Sequence, residues 1–410
     1  MTGDPSADAW PAIPKDAGFL AFPSSAMTAT VGPAELGAVP FSRVVLAPAA
    51  RISLPDSRVL NAPSVRHGVP GGWGYPGDPM LSWDAPAQNI FPRQVTYPEM
   101  AVSRLDDAYC LPYAPPFLPA SRRLASDFNI PWDARAVGWF QHEADGLYRL
   151  PIELRLSEAR RVETGFFLGH LVSGHFGHFM ADCLSRIYAW TLCREIFGDV
   201  KLIIEHTRED TSFRDALLRA AGVDLDDVIF SQGLFRCRKL VLASPSLGTS
   251  QYASPTSARL WRRIRDAFGN VPAPHADKVY LSRSGQSARW MVNEAAVEEI
   301  FRKFGFLVVN LERYPIHEQV GIVSKARYVA GPGGSAMFNL AFQRRLRSVL
   351  LLIPETFVQI TELLFLAGAE CSVCFHVGSR DMPDGAPVTV NDSWRADLSR
   401  LAADIGAWLS

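Results

Sequence analysis

The chain has 410 residues, 48% hydrophobic and 20% charged, with a formal net charge of −1. That length suits two globular domains better than one. The balanced charge excludes a general nucleic-acid binder, which carries a basic excess, but leaves room for a local basic site that takes a phosphate. The opening Met-Thr-Gly-Asp-Pro lacks a basic stretch ahead of an apolar core, so no secretory signal is read. The longest apolar runs, such as 349–353, are far shorter than the ~20 residues that span a bilayer. A cytoplasmic protein is expected, meeting the inner face of the membrane only through a partner or a lipid-linked acceptor. Oligomeric state is not legible.

Half of the 30 prolines fall in the first hundred residues, and the run 70–79 is rich in Pro and Gly. Such sequence cannot carry a long helix, because Pro lacks an N–H donor and Gly costs entropy. Residues 1–95 therefore read as an irregular extension with a few short strands. From about 150 the texture changes. Strands are expected at 201–205, 227–230 and 239–243, with helices at 211–221 and 257–268. The break Gly269-Asn-Val-Pro-Ala-Pro274 suggests a domain boundary. Beyond it the alternation restarts, with strands at 278–282, 306–310, 327–330 and 348–353 and helices at 293–304 and 315–325. Alternating strands and helices imply parallel sheets with right-handed crossovers. The expected division is 1–95, 96–272 and 273–410, with the last helix packing back on the first α/β block. The expected architecture is α/β, two facing Rossmann-like domains with a ligand cleft at the carboxyl ends of their strands.

Three segments carry chemistry. Wound as a helix, residues 173–191 place His175, His178, Asp182 and Arg186 on one stripe, with Ser185 beside them and apolar side chains opposite. Spacing of i, i+4 and i+8 lets His178, Asp182 and Arg186 touch in turn. A carboxylate so placed suits general-base work on a hydroxyl, and equally suits a solvated face of ion pairs. A His–Asp pair also binds metals, but one more converging ligand is needed and the sequence does not show it. Second, Ala330-Gly-Pro-Gly-Gly-Ser335 follows a strand and precedes a helix, an arrangement that serves either a diphosphate or a tight turn. Third, the strand at 278–282 ends in Arg283, with Arg289 and Asn293-Glu294 beyond; arginine grips phosphate bidentately. Six scattered cysteines, including the pair Cys371 and Cys374, complete no zinc set and read as buried thiols. Asp224-Leu-Asp226 precedes a strand and reads as a turn.

Taken in order, these segments resemble glycosyltransferase family 61. Its His-x-x-x-Asp-x-Leu-x-Arg helix is matched by His178, Asp182, Leu184 and Arg186, and its Lys-x-Tyr-Leu-Ser-Arg strand by Lys278 to Arg283. Arg289, Asn293-Glu294, Gly305-Phe306 and Glu318-Gln319 follow, and its Gly-Pro-His-Gly loop is matched by Gly331, Pro332, Gly334 and Asn339. The resemblance implies a GT-B fold and inverting transfer of a sugar from a nucleotide-sugar donor, a UDP-sugar first, to a glycan or lipid-linked glycan in surface-polysaccharide assembly. Asp182 would be the base, oriented by His178 and Arg186. Arg283, Arg289 and the loop of Gly331, Gly333, Gly334 and Ser335 would take the phosphates; Asn339 would hold the loop or reach the donor, and Glu318 the ribose. No tightly bound cofactor and no metal requirement are expected. Where the family has His and Ala, this chain has Gly333 and Ser335. That departure leaves a second reading open, a degenerate member that binds nucleotide or glycan without transfer.

Overall fold

The computed structural model describes residues 13, 17–61, 91–125, 136–137, 140–144, 146–150, 152–170, 173–205, 212–383, 385–389 and 391–410. The fold is mixed α/β with several sheets, and its contacts divide into two units. The first comprises residues 1–50 and 98–246, the second 51–97 and 247–410.

The first unit is built on a mixed sheet. Four of its strands run parallel, in the spatial order Val228–Ser231, Lys201–Glu205, Arg160–Phe167, Phe235–Ala243. Met100–Cys110 then pairs antiparallel with Phe235–Ala243, and Ser42–Ala47 pairs with Met100–Cys110. Lys201–Glu205 is a near-continuous apolar run because both faces of a parallel strand are covered. Phe167, Ile203, Leu240 and Leu242 form the core there. A second core gathers Phe19, Phe117 and Phe140 in edge-to-face contacts.

The second unit holds a parallel sheet in the order Leu307–Val309, Lys278–Leu281, Tyr328–Pro332, Ser348–Pro354, Ser372–Arg380, with Asp56–Asn61 added parallel at the edge. Numbered along the chain the first five strands run 2-1-3-4-5, a doubly wound order whose switch point lies between Lys278–Leu281 and Tyr328–Pro332. Glycine is required at Gly331, where a Cβ would lie 2.6 Å from the Leu281 carbonyl oxygen.

Several expectations need amending. The described part of 1–95 supplies strands to both units. Its prolines, such as Pro48 and Pro55, flank strands rather than interrupt them, so high Pro content excluded helix without excluding sheet. The 70–79 run lies outside the described residues. Contacts divide the chain at 246/247 and not at the break near 270. Helix Pro255–Phe268 belongs with the chain on its C-terminal side, since Trp261 packs on Phe342 and Phe365, and Arg265 donates to the Gln343 carbonyl at 2.7 Å. The last helix, Leu398–Leu409, packs in the second unit rather than on the first: Leu401, Ile405 and Trp408 share a core with Tyr280 and Phe301.

Candidate functional site

In the first unit the chain leaves strand Arg160–Phe167 and reaches His170 three residues later. The following helical segment is not the single regular helix expected. One short turn at Phe176–His178 opens into a π turn at Phe179–Cys183, tightens to 3-10 at Leu184–Ala189, and becomes α-helix at Trp190–Phe197. Such π turns re-aim side chains and concentrate at functional sites. Phe179, Met180, Cys183, Leu184 and Ile187 are fully buried, as expected of the apolar side.

The polar stripe is only partly a surface. Arg186 and Ser185 are buried, which a wholly solvated face would not allow, while Asp182 and His178 keep side-chain exposures of 14% and 25% and His175 is exposed. His178 Nδ1 and Asp182 Oδ2 share a hydrogen bond of 2.8 Å. The structure adds a residue that the helical pattern did not include. His170 Nε2 lies 4.0 Å from the same Asp182 oxygen, and its ring stacks at 5.9 Å on that of His178. His175 packs against His178 at 5.3 Å. Burial lowers the His170 pKa to about 4 against the opposing pull of Asp182, so the imidazole is neutral at neutral pH. The segment after Phe235–Ala243 closes on the same place, where Ser246 donates from both N and Oγ to the Ser185 carbonyl. The His–Asp group thus stands beyond the carboxyl end of Arg160–Phe167, in the parallel part of this unit's sheet.

In the second unit Arg283 and the glycine loop meet at the switch point. Arg283 Nη1 donates to the Gly333 carbonyl at 3.0 Å, and its backbone N–H donates to Glu294 Oε1 at 2.7 Å. Gly334 has φ +138°, which glycine alone adopts readily, and a Cβ there would press on the Arg283 guanidinium at 3.2 Å. Arg289, at φ 51°, lays its guanidinium over Phe357 at 4.2 Å and donates weakly to Asn391. Burial pulls the Arg289 pKa down to about 10, with Arg283 adding to the shift and Glu362 opposing it; the group stays charged. Arg283, Arg289, Trp290, Glu294 and Pro332 line one pocket. The recess is narrow, with two guanidiniums and the Glu294 carboxylate in its lining, and Trp290 beside it is exposed.

The loop itself differs from the open phosphate cradle expected. The Gly333 N–H bonds the Leu352 carbonyl, and the Gly334 N–H bonds the buried carboxylate of Glu362 at 2.9 Å. The following Ser335–Phe342 is a 3-10 helix with Gly334 at its cap. Asn339 ties the helix after the loop to a neighbouring one: its Nδ2 donates to Gln319 Oε1 at 3.3 Å and to the Ala336 carbonyl at 3.2 Å. Gly331 serves strand contact. Glu318 stands in the first turn of Ile316–Lys325, 4.0 Å from His317 Nε2. Two participants escaped the sequence reading. Glu362 sits in an unremarkable Thr-Glu-Leu-Leu segment, and His170 lies before the helix; a lone polar residue ending the apolar run 165–168 was the available signal for it.

Two other sequence signals lie apart from both groups. Asp224 accepts from the Asp226 N–H in a short turn, and Cys371 and Cys374 are free thiols whose pKa burial raises. Among the described residues no helix is long and apolar enough to cross a membrane. Residues 176–350 match the model of the family Glycosyltransferase 61. No curated protein matches the chain. The matched stretch covers His178, Asp182, Arg283, Arg289 and the glycine loop, and excludes His170 and Glu362.

Proposed function

From the glycosyltransferase 61 domain carried over residues 176–350, whose activity is transfer of a sugar from a donor to an acceptor, we propose an inverting enzyme of GT-B architecture. It moves a sugar from a nucleotide sugar, a UDP-sugar first, to a glycan or lipid-linked glycan in surface-polysaccharide assembly. Parallel α/β blocks, one per unit, support the architecture. The observation that carries the mechanism is the hydrogen bond of 2.8 Å between His178 and Asp182 at the carboxyl end of the first unit's sheet. Inversion needs one base opposite the leaving group. Asp182 takes the proton of the acceptor hydroxyl, and His178 fixes the carboxylate's direction. Arg186 adds positive potential from beneath. In the second unit Arg283 and Arg289 neutralise the departing diphosphate. Gly331, Gly333, Gly334 and Ser335 shape that site, Asn339 braces it, and Glu318 accepts from the ribose.

Asp182→Asn is expected to cut turnover by about 10²–10⁴-fold, measured as UDP release from a panel of UDP-sugars with glycan acceptors. Thermal stabilisation of the variant by the same donors should be unchanged. Turnover at the wild-type rate in folded Asp182→Asn would falsify the base assignment.

One observation favours a second reading, a nucleotide- or glycan-binding member without transfer. A Cβ at Gly333 would meet Ile353 Cγ2 at 3.1 Å and Glu362 Oε1 at 3.4 Å. The space next to the loop is thus filled by a carboxylate and an isoleucine, and an imidazole does not fit without rearrangement. Donor stabilisation with no UDP release from any acceptor would favour this reading.

A further inference from the structure

The geometry points to a binding site for a zinc-class divalent cation formed by His170, His178 and Asp182, whose occupancy takes Asp182 out of service as a base. One ring nitrogen of each histidine and one Asp182 oxygen all lie within 4.8 Å of one another. Two of these separations are 2.8 and 4.0 Å. Tetrahedral zinc with N and O ligands at about 2.0–2.1 Å has ligand–ligand edges of about 3.4 Å. The observed spread brackets that edge, so changes of about an ångström, within reach of side-chain rotations, close the set around an ion.

The chemistry of the set selects the ion. Two imidazoles and one carboxylate suit zinc, cobalt or nickel; magnesium and calcium prefer all-oxygen shells. Three protein ligands leave a fourth position for water, and the partial exposure of Asp182 and His178 gives an ion a way in. The ligands come from two different pieces of chain. His170 follows a strand and is buried, while the other two ride on the π turn and the turn before it. A preformed third ligand of this kind is what the helix pattern alone lacked.

Binding consumes the lone pairs that matter. The proton shared between His178 Nδ1 and Asp182 Oδ2 leaves that contact when the metal takes both side chains as ligands, either to the far nitrogen of the same ring or to water. The ligated carboxylate oxygen no longer accepts a proton from an acceptor hydroxyl. The cation site stands on geometry alone; the block on transfer rests on the proposed role of Asp182 as the base.

The test uses the full chain after chelator treatment. Zinc chloride is titrated in by calorimetry and by competition with a chromophoric chelator. One equivalent is expected to bind, at least about tenfold more weakly in His178→Ala and in Asp182→Asn, and millimolar magnesium should not compete. Cobalt should give the visible absorption of a tetrahedral N/O site, lost in both variants. His170→Gln extends the series where it folds; the two helix variants decide the matter without it. Zinc should inhibit UDP release and a chelator should restore it. No stoichiometric binding, or binding unchanged in both variants, overturns the cation site and leaves the base assignment untouched. Full transfer with zinc bound, or transfer that needs zinc, overturns the block, and the fault then lies in the base assignment rather than in the site.

Discussion

At the scale of single residues, the two buried acids near the glycine loop differ from ordinary surface carboxylates. Burial pushes the Glu362 pKa up to about 7, and the Gly334 N–H and Arg289 only partly oppose it. A raised acid pKa means the folded state holds a proton that the unfolded chain has already released. The group's contribution to stability therefore declines as pH rises from about 4.5 to about 7 and is level above that. The span corresponds to on the order of 3 kcal/mol. Glu362→Gln keeps an oxygen for the Gly334 N–H and removes the titration. Its urea midpoint should vary less between about pH 5 and 7.5 than the wild-type midpoint. A slope equal to wild type would place the titrating group elsewhere. Glu294 is also raised by burial, and it holds the Arg283 backbone, so Arg283 enters the site braced at both ends.

At the scale of elements, the second unit's switch point depends on two strands approaching closely. Lys278–Leu281 and Tyr328–Pro332 are hydrogen-bonded neighbours, and Gly331 faces the Leu281 carbonyl with no room for a methyl group. Gly331→Ala has to spread these strands, at a cost of about 1–3 kcal/mol. It should lower the thermal midpoint and, because Arg283 follows the first strand, weaken stabilisation by UDP-sugars as well. An unchanged midpoint would show that the strands relax freely. The elements legible in advance were those with strong local signals. Lys201–Glu205 and the helix Glu294–Lys303 appear within a residue or two of expectation. The helix at 173–191 was legible as helical but not in its winding. No local pattern in the sequence announces the π turn at Phe179–Cys183, whose apolar side chains are buried as a regular helix would also bury them.

At the scale of the whole molecule, each unit is completed by chain from outside its main segment. Ser42–Ala47 covers Met100–Cys110 in the first, and Asp56–Asn61 adds to Ser372–Arg380 in the second. Removing residues 1–97 strips both and exposes two long strand edges, which invite aggregation. The truncated chain is expected to be insoluble or to lose the sharp amide dispersion of a folded protein in its NMR spectrum. A soluble, well-dispersed product would show that these strands are accessory.

The sequence by itself determined the alternation of strand and helix, the ordered segments that match glycosyltransferase 61, and the pairing of His178 with Asp182, since all of these live in spacing along one stretch of chain. Tertiary structure alone decided the rest. It brought His170 to Asp182 from beyond the helix, set Glu362 on the Gly334 amide from 28 residues away, buried Arg186 where the helical pattern left a solvated face open, and drew the proline-rich start into sheets of both units. Each of these is a contact between distant segments, fixed by strand order and side-chain volume, and no periodicity within a segment records it.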